Sequence, residues 1–264
     1  MSELVRTVSP EETAFFAEHG WVRLPGLVDQ REISRLRERA EARLANRLTG
    51  ETESAGFVDQ AFGQDRDIAD ADEGFRQLAH DPTMAANVVA LLGTVDNVRL
   101  QITNLLVKQP KGQGRHDGAT VFHQDFPWMP MDRSGMLTVW VALAPVTPEM
   151  GPLRFYDRSH VRGLLGRSFV RPHDDMPTQH PWLADLPITE GAALAPGDAT
   201  VHHCLTVHGA GENTSDAVRL SFAATYFDAD TLYTGAPYGQ TDQLGLGING
   251  PFDHPRFPAL SAVR

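Results

Sequence analysis

The stretch AVRLSFAATYF, residues 217–227, decides the fold of this chain, because its side chains alternate in kind. Successive side chains of a strand point to opposite faces of a sheet. One face of this stretch is apolar and would pack on a core. The other carries small and polar residues, together with Arg219, and would line a cavity. Taken alone, Arg219 fits a solvated charge on a half-buried strand better.

Short runs of a similar kind precede this stretch. They alternate with turns rich in Gly, Pro and Asp and lie at 97–108, 119–126, 136–146, 152–157 and 198–208. Several short strands joined by such turns predict a β-sandwich or a barrel.

The first 95 residues favour helices instead. The sequence SPEE at 9–12 is a capping box with Pro at the first helical position, and Gly20 is a natural stop. A short strand follows at 21–24, and apolar residues at helical spacing predict further helices at 29–48, 72–80 and 82–92. Strands that gather after helices indicate an α+β class rather than an alternating α/β fold.

No linker composition separates these parts, so we expect one domain over residues 1–264. A helical part, 1–95, would pack on a β core at 96–227. That core would contain a lid insert near 161–195. The stretch 228–264 is predicted to be an irregular tail laid over the domain.

Composition excludes several classes of protein. The chain has 264 residues and a net charge of −11, which disfavours a broad nucleic-acid surface. It has no run of about 18 apolar residues that would span a membrane, and its N-terminus lacks the pattern of a signal peptide. One cysteine, Cys204, cannot form an internal disulfide. We therefore expect a soluble, cytoplasmic protein that binds a small molecule, and the oligomeric state stays open.

A candidate metal site begins at FHQDF, residues 122–126. In a strand, His123 and Asp125 would project to the same side and grip one cation, although His-x-Asp alone fits a surface hydrogen bond better. His208 follows another strand-like run. Two histidines and one carboxylate form the facial triad of non-haem Fe(II) oxygenases. Arg219 supplies the cation that the far carboxylate of a chelating 2-oxo acid needs.

The order of these motifs resembles the phytanoyl-CoA dioxygenase family, over roughly residues 10–227. The motifs are His123-Gln124-Asp125, then His208-Gly209-Ala210-Gly211-Glu212-Asn213, then Arg219, with further similarity at Lys108-Gln109-Pro110, Trp140-Val141-Ala142-Leu143, Gly151-Pro152-Leu153-Arg154 and Gly197-Asp198. The family contains Fe(II)- and 2-oxoglutarate-dependent oxygenases. Their fold is a double-stranded β-helix, a cupin-like jelly roll, which this chain is then expected to share, with flanking N-terminal helices.

The resemblance implies roles for individual residues. His123, Asp125 and His208 would bind Fe(II), with O2 as a cosubstrate. Arg219 would bind the 5-carboxylate of 2-oxoglutarate, and Trp140 would lie near the same cosubstrate unless it is plain core.

Two further residues are implied to contact the cosubstrate. Asn104 occupies a strand position that contacts it in the family, or else makes a hydrogen bond at a strand edge. Ala210 stands where the family often has a serine. The missing hydroxyl would come from elsewhere, and Thr138, on the face of Trp140, is the candidate.

Other histidines compete for the second histidine position. His202 and His203 lie farther from Arg219 along the chain, and only His208 fits the His-Gly-x-Gly-x-Asn turn of the family. The first two are therefore predicted to be hydrogen-bonded residues in the barrel wall. Halogenating relatives have a small residue in place of Asp125, so its carboxylate predicts hydroxylation or a related oxidation.

The resemblance thus implies a dioxygenase that hydroxylates a C–H bond of a small, largely apolar metabolite, with succinate and CO2 as co-products. Epimerisation, desaturation or ring closure would follow from the same hydrogen abstraction. The apolar segment 126–131 would cover a small natural product or else pack under the tail. Two other classes stay open: a cupin-like metalloenzyme without 2-oxoglutarate, which usually has a third histidine, and a non-catalytic binding module without metal.

Overall fold

The computed structural model describes residues 3–48, 62–93, 97–113, 118–168 and 175–261. The helices are α1 (Pro10–His19), α2 (Gln30–Leu48), α3 (Ile68–Ala71), α4 (Glu73–Ala79), α5 (Pro82–Leu92) and α6 (Met176–Gln179). The strands are β1 (Trp21–Leu24), β2 (Phe62–Arg66), β3 (Asn97–Lys108), β4 (Thr120–His123), β5 (Met136–Ala142), β6 (Leu153–Phe155), β7 (Ala199–His203), β8 (His208–Ala210), β9 (Arg219–Asp228) and β10 (Ala259–Ser261).

The strands form two antiparallel sheets. Among the described residues, seven strands make a major sheet in the order β1-β7-β5-β9-β3-β10, with β2 also paired to β3. A minor sheet has the order β4-β8-β6. This curled pair of sheets is the double-stranded β-helix, or jelly roll, that the sequence predicts.

The major sheet packs one face on the N-terminal helices. The apolar residues of β9, such as Phe222 and Tyr226, belong to one buried cluster with Leu36, Phe75 and Val88 of the helices. The ring centroids of Phe75 and Phe222 lie 5.3 Å apart, and the Tyr226 hydroxyl donates to the backbone of α4 at 2.9 Å. The alternation in 217–227 therefore assigns the two faces of β9 correctly, and Arg219 is on the opposite face.

The longer predicted helices are confirmed to within a residue. The first begins at the capping box expected at Ser9 and Glu12. The sequence does not predict β2, α3 or β10. The strand β2 reads FGQDR and has no apolar alternation, yet it pairs with the end of β3. The strand β10 has three residues and interrupts the tail predicted to be irregular over 228–264.

One predicted strand, 198–208, is two strands in the structure. A turn after His203 separates β7 from β8, with the backbone N–H of Thr206 donating to the carbonyl of His203 at 2.8 Å. The two strands then join different sheets, so residues six positions apart, His202 and His208, face each other with ring centroids 4.0 Å apart.

The insert and the tail pack on the rest of the domain. Met176 and Leu183 of the insert are buried with Val207 beside the minor sheet. Residues 169–174, in the middle of the expected lid, lie outside the described residues. The lid and the single domain stay predictions. No described helix has the length and apolar character that a membrane span requires.

Candidate metal centre

The three predicted metal ligands come together between the two sheets. His123 ends β4, His208 begins β8, and Asp125 lies just after β4. One ligand atom of each lies within 4.8 Å of those of the other two. The Oδ1 atom of Asp125 is 3.5 Å from Nε2 of His123 and 3.7 Å from Nε2 of His208.

Asp125 reaches this place through a turn, so the alternation expected over 119–126 is wrong for this residue. Its backbone is helical, with φ −77° and ψ −39°. The backbone N–H groups of Asp125 and Phe126 both donate to the carbonyl of Cys204, at 3.0 and 3.1 Å. Pro127 follows and has no N–H for a strand ladder. The chain therefore curls at the end of β4 and returns the carboxylate towards His123.

Both ligand histidines have their ring orientation set by a backbone carbonyl. Nδ1 of His123 lies 2.8 Å from the carbonyl of Val121, and Nδ1 of His208 lies 3.0 Å from that of Thr206. A carbonyl accepts hydrogen bonds, so the proton is on Nδ1 and the lone pair of Nε2 faces Asp125. This is the tautomer that a metal-binding imidazole needs.

The charge states also suit a cation. Burial alone would raise the pKa of the Asp125 carboxyl, but its electrostatic interaction with His208 and the polar contacts of His123 and His202 hold that pKa well below its usual range. Burial lowers the pKa of His208, and the neighbouring His202 and His123 lower it further. An ionised carboxylate and neutral imidazoles are the forms that bind metal, and this donor set fits non-haem iron.

Arg219 lies farther along the same cavity wall. Its side chain is buried, with 2% of the residue exposed, and Nη1 donates to the carbonyl of Gly151. The guanidinium lies 5.4 Å from the ring centroid of Trp140. Among the described residues no acidic side chain pairs with it. Burial lowers the pKa of Arg219 to about 9, so the side chain is still charged at neutral pH.

Two other predicted residues share a row of this wall. Asn104 of β3 is paired with Ala223, and Ala223 is paired with Trp140 of β5. Nε1 of Trp140, Oδ1 of Asn104 and Nε of Arg219 are buried and have no hydrogen-bond partner in the part of the chain that is described. Buried polar atoms normally have partners, and the two N–H donors, Nε1 of Trp140 and Nε of Arg219, fit a polar ligand such as a dicarboxylate.

Gly151 allows the wall to close behind Arg219. Its φ is +61°, and a Cβ there would lie 2.2 Å from the carbonyl oxygen of Gly211. A larger residue would therefore displace the backbone that presents the acceptor for Arg219.

Thr138 faces the metal centre. Its hydroxyl donates to Oδ2 of Asp125 at 3.3 Å and accepts from the hydroxyl of Thr225 at 2.9 Å. A contact of Thr138 with the cosubstrate stays a prediction.

The sequence places His202 and His203 in the barrel wall correctly but does not predict that His202 contacts the metal site. His202 is in the barrel wall, as expected, but its Nε2 faces the site, 3.3 Å from Oδ2 of Asp125, and its buried Nδ1 has no partner among the described residues. Alternation along β7 would have placed it on the inner face with Thr200. The Nδ1 atom of His203 accepts from the backbone of Leu205 at 3.1 Å, outside the site.

Gln124, between the two ligands, is a residue that sequence reasoning missed. It is buried, and its Nε2 donates to the carbonyls of Gly163 and Leu205 at 2.9 and 2.7 Å. Its Oε1 accepts from the backbone of Leu165 at 2.8 Å. Gln124 thus fastens the insert to the segment that carries the ligands.

The apolar segment after Asp125 packs mainly under the tail. Phe126 and Met129 lie against a cluster that includes Tyr233, Phe252 and Phe257. This is the second of the two arrangements considered for 126–131.

The sequence profile of a family described as Phytanoyl-CoA dioxygenase (PhyH) matches residues 16–221 of the 264. The chain belongs to the phytanoyl-CoA dioxygenase family. A probable phytanoyl-CoA dioxygenase of Caenorhabditis elegans is 21% identical to it in an alignment 240 positions long, which covers 84% of this chain and 76% of the relative. The predicted class, an Fe(II)- and 2-oxoglutarate-dependent dioxygenase, is thereby confirmed.

Two solved structures resemble nearly the whole chain. One is the non-haem α-ketoglutarate-dependent carbocyclase SnoK from nogalamycin biosynthesis, with a TM-score of 0.77 and 28% identity over 96% of this chain and 97% of that one. The other is the epimerase SnoN in complex with Fe3+, α-ketoglutarate and nogalamycin RO, with a TM-score of 0.77 and 28% identity over 94% and 97%.

Proposed function

We propose that this dioxygenase oxidises a C–H bond of a small, largely apolar natural product. In this proposal His123, Asp125 and His208 hold the iron, and Arg219 holds the far carboxylate of 2-oxoglutarate. The observation that carries it is the buried guanidinium of Arg219, which has no acidic partner among the described residues and shares a wall with the facial triad. Burying a charge of this kind without a counter-ion costs free energy, and an anion that joins it offsets that cost.

Three protein ligands would leave one side of a bound ion open. An octahedral ion with three protein ligands has three further positions, enough for a chelating 2-oxo acid and dioxygen. When bound, iron and 2-oxoglutarate supply the oxidising chemistry, in which 2-oxoglutarate, O2 and a C–H bond give succinate, CO2 and an alcohol. The protein contributes orientation and a largely water-free site.

The second anchor fixes the cosubstrate in the cavity. The guanidinium of Arg219 has five N–H donors, of which one is directed at the carbonyl of Gly151, so a planar fork is left for a carboxylate. The indole N–H of Trp140 is a further donor on the same wall that has no partner among the described residues. Asn104, in the next strand but one, would contact the chain of the dicarboxylate.

The character of the substrate is inferred from charge and surface. A net charge of −11 disfavours a polyanionic coenzyme A thioester. Val161 and Leu164, in the insert that Gln124 fastens to the ligand segment, are 68% and 59% exposed. Exposed apolar side chains of this kind suit contact with an organic molecule.

Hydroxylation is the reaction we propose first. Ring closure or epimerisation is the second candidate, because a carbocyclase and an epimerase resemble almost the full length of this chain. Each begins with the same removal of hydrogen from carbon. Relative to the substrate, a hydroxylated product gains one oxygen atom and a ring-closed product loses two hydrogen atoms. An epimerised product has the same mass as the substrate.

The test is succinate release in the presence of Fe(II), 2-oxoglutarate and O2, measured with a panel of small polycyclic and polyketide metabolites. The product formed from any compound that stimulates succinate release is identified by mass spectrometry. A product of unchanged mass is tested for hydrogen exchange in heavy water, which would indicate epimerisation. The matched inactive control is His208→Ala. Turnover without 2-oxoglutarate would favour the cupin-like class. No charge-transfer absorption with Fe(II) and 2-oxoglutarate under anaerobic conditions would favour a binding module.

A further inference from the structure

We infer that His202 is a positioning residue for the metal site: its Nε2–H donates to Oδ2 of Asp125, so that this carboxylate offers only Oδ1 to the ion. The inference rests on the proposed function, because it concerns how Asp125 would hold the iron. It adds a residue that lies outside the His-x-Asp…His pattern.

The two oxygens of Asp125 face different groups. Oδ1 faces the two ligand histidines, at 3.5 Å from His123 and 3.7 Å from His208. Oδ2 faces His202 and Thr138, both at 3.3 Å. One oxygen is thus directed into the triad, and the other is directed at two groups that can donate a hydrogen.

The sheet holds His202 firmly in this place. Its strand, β7, lies between β1 and β5, and His202 is in register with Trp21 on one side and Thr138 on the other. The residue is 2% exposed, and its ring lies 5.7 Å from that of Phe155. The side chain therefore has little freedom to turn away from Asp125.

The tautomers separate His202 from the ligands. His123 and His208 place their proton on Nδ1, next to a backbone carbonyl, and present a bare Nε2. His202 has no such carbonyl, since its buried Nδ1 has no partner among the described residues. The acceptor that its ring approaches is Oδ2, at Nε2. A neutral imidazole has one N–H, which is then on Nε2, and a protonated nitrogen cannot bind a metal.

Coordination number gives the same assignment. If His202 were a fourth protein ligand, two positions would be left on an octahedral ion. A chelating 2-oxo acid needs two and dioxygen needs one more. If Oδ2 had no donors, Asp125 could bind the ion through both oxygens and would occupy a second coordination position. Donors from His202 and Thr138 to Oδ2 keep that position open.

The experiment measures metal binding without turnover. Two variants are compared with the parent protein: His202→Phe keeps a ring but removes the donor, and His202→Gln restores an N–H at similar reach. Affinity for Fe(II) is measured anaerobically by competition with a chelator, without 2-oxoglutarate. Geometry is followed by the visible spectrum of bound Co(II). His203→Gln is the matched control, because it changes the next residue on the opposite face of the same strand.

We expect His202→Phe to weaken Fe(II) binding about 10- to 100-fold and to change the Co(II) spectrum, as loss of an outer hydrogen bond to a ligand does. His202→Gln should restore most of both properties, and His203→Gln should alter neither. Parental affinity and spectrum in His202→Phe would overturn the inference. Equal loss in the Phe and Gln variants would also overturn it, because packing or direct ligation would then be the role.

The two proposals fail in distinguishable ways. A parent protein that binds no Fe(II) would reject the proposed function together with this inference. A parent that binds Fe(II) and converts 2-oxoglutarate, beside a His202→Phe variant with unchanged affinity and spectrum, would reject the role of His202 alone.

Discussion

Replacing Arg219 with Met should separate cosubstrate binding from folding. The buried guanidinium has one N–H directed at the carbonyl of Gly151, an unpartnered Nε, and no acidic partner among the described residues. At least two donors are therefore left for a carboxylate. Charge-assisted hydrogen bonds contribute about 1.5 to 3 kcal/mol each, so the loss of two costs at least about 3 kcal/mol. That corresponds to a decrease in 2-oxoglutarate affinity of roughly 150-fold.

The folded protein should respond differently. In the absence of 2-oxoglutarate, the charge of Arg219 is buried without a counter-ion, so an apolar residue of similar length should not lower the melting temperature. The assays are the KM for 2-oxoglutarate from succinate release and the thermal unfolding of the protein without cosubstrate. Arg99→Met is the control: this arginine is on the strand next to β9 and donates to the carbonyl of Phe257 in the tail.

Two results would refute this reasoning. An unchanged KM in Arg219→Met would remove the residue from cosubstrate binding. A large fall in melting temperature with a KM change no greater than that of Arg99→Met would show that the buried charge stabilises the fold instead.

Three further substitutions test other parts of the site and the fold. Asp125→Ala should abolish turnover and greatly weaken anaerobic Fe(II) binding; product at the parental level would show that it is not a ligand. Gly151→Ala should displace the backbone that orients Arg219, because the new Cβ would collide with the carbonyl of Gly211. The KM for 2-oxoglutarate should then rise about tenfold, which corresponds to the loss of one charge-assisted hydrogen bond. A parental KM would contradict the role of this backbone. Burial alone would raise the pKa of Asp198, but two backbone N–H groups and a guanidinium donate to it and lower that pKa. Its stabilisation is therefore present above the unfolded pKa near 4 and lost as the pH falls through the lower folded value. Asp198→Asn should decrease the free energy of unfolding by about 2 kcal/mol at pH 7, and this difference from the parent should shrink in acid. Urea titrations at neutral and acidic pH measure it. An equal difference under both conditions would exclude this ion pairing.

Local patterns predict much of this fold. The alternation in 217–227 assigns both faces of β9 because burial against the helices imposes a period of two. The capping box at Ser9 and Glu12 predicts the start of α1 because it satisfies backbone donors within four residues. The presence of the two histidines, Asp125 and Arg219 in one region follows from the family resemblance rather than from any one of these patterns.

Contacts between sheets are what the sequence does not predict. The turn at Asp125 depends on the carbonyl of Cys204, which is 79 positions away, and nothing in FHQDF specifies that acceptor. The break between β7 and β8 sends His202 and His208 to different sheets, where their rings meet. The polar strand β2 forms because the end of β3 offers it a ladder, so its own residues give no signal.

The backbone of Asp125 is held by hydrogen bonds that do not involve its carboxylate. Two backbone N–H groups, and not the carboxylate, hold this part of the chain to Cys204. The side chain can therefore be exchanged while the main chain keeps its course, and the identity of the group beside the ion is free to vary over evolutionary time without a new barrel having to arise.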